Sequence, residues 1–131
     1  MSPLGVAVYE ILRSRVSRPE PRITYAELGA RLRDQSLDFE HVYHRSPELY
    51  AALREVGREC RRLRLPPLPA LVVRADTRRP GDAYYSGKCS GYIARANQIA
   101  AWRRDLENVK RSTYPAMSAE QSAPQTRDIG K

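Results

Sequence analysis

ITYAEL, residues Ile23 to Leu28, decides how this chain is read. Thr24 is placed as an N-cap whose side chain accepts a first-turn N–H. Glu27, three residues on, can reach back to the N–H of Thr24, closing a capping box. Ile23 before the cap and Leu28 after it have the spacing of a hydrophobic staple. Together these devices set the start of a helix and the angle at which the chain enters it. What lies on either side decides what that helix supports.

Upstream, Leu4, Val8, Ile11, Leu12 and Val16 recur at i, i+3, i+4 spacing, which predicts a first helix from Pro3 to Arg15. Pro19 and Pro21 stop it. The capped second helix runs from Tyr25 to Arg33 with Leu28 and Leu32 inward, and the polar stretch DQSLDFEHVYHRS reads as a loop. Ser46-Pro47-Glu48 then opens a third helix, with serine as cap, proline at the first helical position and glutamate at the positive end of the dipole. Leu49, Leu53, Val56, Cys60 and Leu63 form its apolar face. Arg54, Arg58, Arg61 and Arg62 lie on the other, with Glu55 and Glu59 between them, and Pro66-Pro67 ends the helix.

The β-branched run LPALVVRA, Leu68 to Ala75, reads as a buried strand. DTRRPGD is a turn with arginines at its tip, and Ala83-Tyr84-Tyr85 is expected to pair back as the second strand of a hairpin. After the glycine-bounded joint SGKCSG, Ile99, Trp102, Leu106 and Val109 predict a last helix from Tyr92 to Arg111. That helix is expected to dock within its own domain, with Trp102 buried against the first helix, in a monomer. The domain then covers residues 1–114, and residues 115–131 are expected to be a disordered tail.

Composition narrows the class of partner. The chain has 131 residues and a formal charge of +8, with 20 arginines against three lysines. Guanidinium groups suit phosphate, so a polyanion is the expected partner. Two cysteines do not make a disulfide framework, which points to a reducing, cytoplasmic compartment. The opening residues have no signal-peptide pattern, and no apolar run approaches membrane-spanning length, so no membrane partner is expected.

Helix, capped helix, longer helix and basic hairpin is the element order of a winged helix, an α+β fold whose third helix enters a groove and whose wing lies along the phosphates. Over Val8 to Tyr85, ITYAEL, Val56-Gly57 and LPPLPALVV resemble the C-terminal winged-helix domain of DNA alkyltransferases and alkyltransferase-like proteins. The run GRECRRLRLPPLPALVVRADTRRPGDAYY also resembles small proteins of phages and prophages. The loop from Asp34 to Arg45 is longer than the alkyltransferase family carries. That family has Pro-Cys-His-Arg before its VV strand, where this chain has Leu68-Pro69-Ala70-Leu71. With no thiol and no histidine there, methyl transfer is rejected.

Other chemistry lacks partners. Cys89 beside Lys88 has a cation that can favour thiolate, but His41 and His44, the only histidines, are distant in sequence. Neither Cys60 nor Cys89 sits in a Cys-x-x-Cys, so His41 and His44 do not complete a zinc set. Asp34, Asp38 and Glu40 lie in polar sequence as solvated charges. The expected protein is non-enzymatic, needs no cofactor or metal, and binds nucleic acid, duplex DNA first. Arg54, Arg58, Arg61 and Arg62 on the third helix, Arg74, Arg78 and Arg79 on the wing, and Tyr85 are the expected contacts, with Arg103 and Arg104 secondary. The alternative is a phage- or prophage-type interaction module, an inhibitor or adaptor, whose basic surface engages an acidic host protein.

Overall fold

Thr24 and Glu27 close the capping box as their spacing predicts. The Thr24 Oγ1 accepts the Glu27 N–H at 3.0 Å, and the Glu27 carboxylate accepts the Thr24 N–H at 3.0 Å. Ile23 and Leu28 are both fully buried. In the computed structural model, which describes residues 1–81, 84–85 and 95–117, this cap begins the second of four α-helices. Helices α1 (Pro3–Arg15), α2 (Tyr25–Gln35), α3 (Pro47–Arg62) and α4 (Arg95–Lys110) accompany strands β1 (Ile23–Thr24) and β2 (Val72–Val73), with 3-10 turns at Leu37–Phe39 and Leu68–Leu71. The fold is α+β, mostly helical, with a two-stranded parallel sheet.

The sheet departs from the expected hairpin. Val72 and Val73 pair in parallel with Ile23 and Thr24, whereas Tyr84 and Tyr85 are helical and Ala83 lies outside the described residues. An N-cap residue has extended backbone, and Thr24, at φ −77° and ψ 159°, turns the cap itself into a strand edge. Four β-branched residues thereby face one another, and α2, the following loop and α3 supply the long crossover that parallel pairing requires. Pro67 and Pro69 hold the start of LPALVVRA in a 3-10 turn, so the strand shrinks to its two valines.

Arg15 organises the proline stop. Its guanidinium donates to the carbonyls of Pro21 at 3.0 Å and Arg22 at 2.8 Å, so a charged side chain satisfies a bend with no ladder of its own. Helix α1 then crosses α3 closely at Gly5, where an added Cβ would stand 2.2 Å from a Glu55 carboxylate oxygen. Ser2 donates to that same carboxylate through its hydroxyl at 2.7 Å.

Helix α3 buries Leu49, Ala52, Leu53, Val56 and Cys60. Ser46 is its N-cap residue, but the expected cap bond is absent: the Ser46 Oγ accepts the Tyr43 N–H at 2.8 Å and so tightens the preceding loop. The helix ends on Arg64 in the left-handed region, φ 59°, with the Leu65 N–H donating to the Cys60 carbonyl at 2.8 Å. This is a Schellman closure without the usual glycine.

Helix α4 docks within the chain, on a different element from the one expected. Trp102 is 4% exposed and its indole N–H donates to the Ala70 carbonyl at 2.8 Å, so its seat is the 3-10 turn before β2 rather than α1. What reaches α1 is the segment after the helix. The Tyr114 hydroxyl donates to the Pro66 carbonyl at 2.6 Å and the Tyr9 hydroxyl to the Pro115 carbonyl at 2.7 Å. The Met117 N–H donates to Glu10. These bonds tie the segment to the domain as far as Met117, three residues into the expected tail. Residues 118–131, and Tyr92 at the expected start of the last helix, lie outside the described residues.

Removing the cap oxygen has a defined cost. Thr24→Ala is expected to lower stability by about 1 kcal/mol, with Thr24→Ser recovering most of it, as read from urea unfolding.

Candidate nucleic-acid interface

Residues 54, 58 and 61 of α3 are spaced i, i+4, i+7, which places Arg54, Arg58 and Arg61 in one stripe along the helix. All three are exposed, and none has an ion-pair partner among the described residues. The stripe borders a groove of about 400 Å³ whose floor and walls are Tyr25, Tyr50, Leu53, Gly57, Leu65, Pro67, Pro69 and Tyr84. A second groove, of about 810 Å³, adjoins it across Tyr25, Tyr50 and Arg54 and adds Arg45, His44 and Arg74. Thr24 to Ala26 at the start of α2 and Pro47 at the start of α3 also line this second groove, so two positive helix ends open onto it.

The three carboxylates of α3 are directed elsewhere, with Glu48 3.5 Å from the His41 ring. Glu55 is engaged by Ser2, and Glu59 makes a two-pronged pair with Arg62. Arg62 holds the Glu59 carboxyl below its usual range. Asp76 lines the second groove, and it is bound by Arg74 through two bonds of 3.0 and 2.8 Å. The same Arg74 contact lowers the Asp76 carboxyl pKa. Among the described residues, both grooves thus face arginine with no unpaired carboxylate in their lining.

The tyrosines are held in place. Tyr25 is 8% exposed, its ring lies 5.6 Å from that of Tyr50 at 42°, and its hydroxyl accepts the Gly81 N–H at 3.0 Å. Burial pushes the Tyr25 phenol above its ordinary value. Tyr50 donates to the His44 carbonyl at 3.2 Å, and the Arg33 guanidinium stacks 4.0 Å above Tyr43.

The expected contact residues divide accordingly. Arg54, Arg58 and Arg61 meet at the groove. Arg62 and Arg74 are exposed but engaged with Glu59 and Asp76. Arg78 and Arg79 sit on an exposed loop closed by the Arg74 N–H donating to the Arg79 carbonyl at 2.8 Å and the Arg78 N–H to the Arg74 carbonyl at 2.9 Å. Arg78 is left-handed, φ 58°, and its charge adds to the Arg22 hydrogen bond that brings the Glu20 carboxyl down to about 2. Neither Arg78 nor Arg79 lines either groove. Tyr85 is half-buried, edge-on to Tyr84 at 5.3 Å, and Arg103 and Arg104 are exposed on α4.

Sequence reasoning did not single out Tyr25, Tyr50 or Arg45. Tyr25 carried a signal, because the first residue after a cap lies where the strand edge meets the helix; Tyr50 and Arg45 carried none. Cys60 is buried in the core, and Cys89 lies outside the described residues. Among the described residues no group of three or more His, Cys, Asp or Glu side chains is gathered, and no helix is long and apolar enough to cross a membrane. No protein-family model, curated protein or solved structure matches the chain.

Proposed function

We propose that this chain is a non-enzymatic nucleic-acid-binding protein, with duplex DNA as its first ligand. The observation that carries the reading is the sorting of charge on α3. Glu55 and Glu59 are engaged away from the grooves, while Arg54, Arg58 and Arg61 face them with no ion-pair partner among the described residues. Unpartnered guanidinium groups have no internal ion pair to give up, so each phosphate they meet contributes counterion release in full. Tyr25 and Tyr50 beside them offer ring surface to a base or a sugar. In this reading α2 and α3 act as the helix-turn-helix pair of a winged-helix-like unit, similar to the alkyltransferase C-terminal domain without its reactive thiol. The loop of Arg78 and Arg79 takes the place of a wing.

A labelled duplex of about two helical turns, titrated by fluorescence anisotropy across a salt series, tests this reading. Three phosphate contacts are expected to give a slope of about −2.7 in log K against log salt. Absence of binding at low salt rejects it. The apolar wall of Leu53, Leu65, Pro67 and Pro69 favours one other reading, an acidic protein partner with an apolar anchor. A partner captured from a host lysate that survives nuclease treatment supports that alternative. Loss of all partners on nuclease treatment supports nucleic acid.

A further inference from the structure

A line of hydrogen bonds crosses the groove from α2 to α4. The Gly81 N–H donates to the Tyr25 hydroxyl at 3.0 Å, the Tyr84 N–H donates to the Gly81 carbonyl at 3.1 Å, and the Tyr84 hydroxyl donates to Asp105 at 2.5 Å. Asp105 lies one helical turn from Trp102, which is buried with its indole bonded to Ala70, so the acceptor sits beside the packed anchor of α4. Tyr25 and Tyr84 both line the smaller groove. One of these rings is fixed by the capped helix and the other by a carboxylate on a distant helix.

We infer that Asp105 is a positioning residue for the groove: by holding Tyr84 it sets the second ring wall at a fixed spacing from Tyr25 and Tyr50, and so governs how tightly the groove grips a planar ring carried on an anionic chain, the base and sugar of a nucleic acid. The inference rests on the nucleic-acid reading and adds to it a residue that touches no ligand. A ring held in place loses less rotamer freedom on binding than one that must be ordered by the ligand, and this difference appears as affinity.

The sign of the effect separates positioning from electrostatics. A carboxylate near a polyanion site repels phosphate, so on charge alone Asp105→Ala should strengthen binding. Positioning requires the reverse: binding of the labelled duplex weakens about fivefold, the scale of one lost hydrogen bond. The salt slope stays unchanged, because no phosphate contact is lost. Asp105→Asn keeps an acceptor for the Tyr84 hydroxyl and is expected to bind at least as well as the parent chain. Tyr84→Phe should match the alanine variant, and the double variant Tyr84→Phe, Asp105→Ala should be no weaker than either single one, since both remove the same bond.

Arg58→Ala serves as the reference in the same titrations. If Arg58→Ala lowers both affinity and slope while Asp105→Ala and Tyr84→Phe bind like the parent, the positioning role is overturned and the nucleic-acid reading stands. If the parent chain does not bind at all, both are overturned. Additive losses in the double variant also overturn the inference. Should Asp105→Ala unfold, Tyr84→Phe and Asp105→Asn carry the test, because both are near-isosteric.

Discussion

Replacing Arg54, Arg58 and Arg61 together with alanine is expected to weaken duplex binding by about two orders of magnitude at low salt and to flatten the salt slope by about 2.7. The three share one exposed stripe, and no described carboxylate pairs with them. The loss therefore falls on the ligand and leaves the fold intact. Alanine is the stronger helix former, so circular dichroism should show helix content equal to or above that of the parent. Arg62→Ala is the contrasting variant. Its guanidinium is engaged with Glu59, so its removal should change affinity far less. Equal losses from Arg62→Ala and Arg58→Ala would show that net charge alone drives binding and that the sorting on α3 has no role.

Trp102→Ala is expected to be the most damaging single core substitution, at about 4 kcal/mol. The side chain is 4% exposed, and its indole satisfies the Ala70 carbonyl, so truncation leaves both a cavity and an orphaned acceptor. A domain of this size has about 5–15 kcal/mol in total, which brings the variant close to unfolding near physiological temperature. Trp102→Phe, which refills much of the cavity but cannot donate, should lose about 1–2 kcal/mol. Urea unfolding followed by circular dichroism measures both. A cost under about 1 kcal/mol for the alanine variant would mean that α4 folds apart from the rest, contrary to its seat on the 3-10 turn.

The local elements were legible where a residue type and a spacing act within one turn. The capping box at Thr24 and Glu27, the Ser-Pro-Glu opening of α3 and the apolar faces of the helices all depend on neighbours three or four residues away. Two departures have separate causes. For Val72-Val73 the next extended run is the default partner, but the strand pairs with the distant Ile23-Thr24. For Trp102 the apolar face of its helix shows that the ring is buried but not against what, and the indole N–H finds its acceptor at Ala70 rather than on α1. The strap at Tyr114 to Met117 was missed because its hold is two tyrosine hydroxyls and a backbone N–H, none of which leaves a periodic pattern.

Sequence alone determined that α3 carries four arginines and three glutamates, and that the chain as a whole is strongly basic. It did not determine which arginines are left to meet a ligand. By spacing, Glu55 can pair with Arg58 as readily as Glu59 pairs with Arg62, since both are i, i+3. Only the packing of α1 onto α3 breaks that equivalence. The close crossing at Gly5 brings Ser2 to the Glu55 carboxylate, Arg58 is left without its helical neighbour, and the groove side of α3 becomes uniformly cationic. A helix surface has many near-equal pairings, each worth a few tenths of a kcal/mol by order of magnitude, and a single tertiary contact is enough to choose among them.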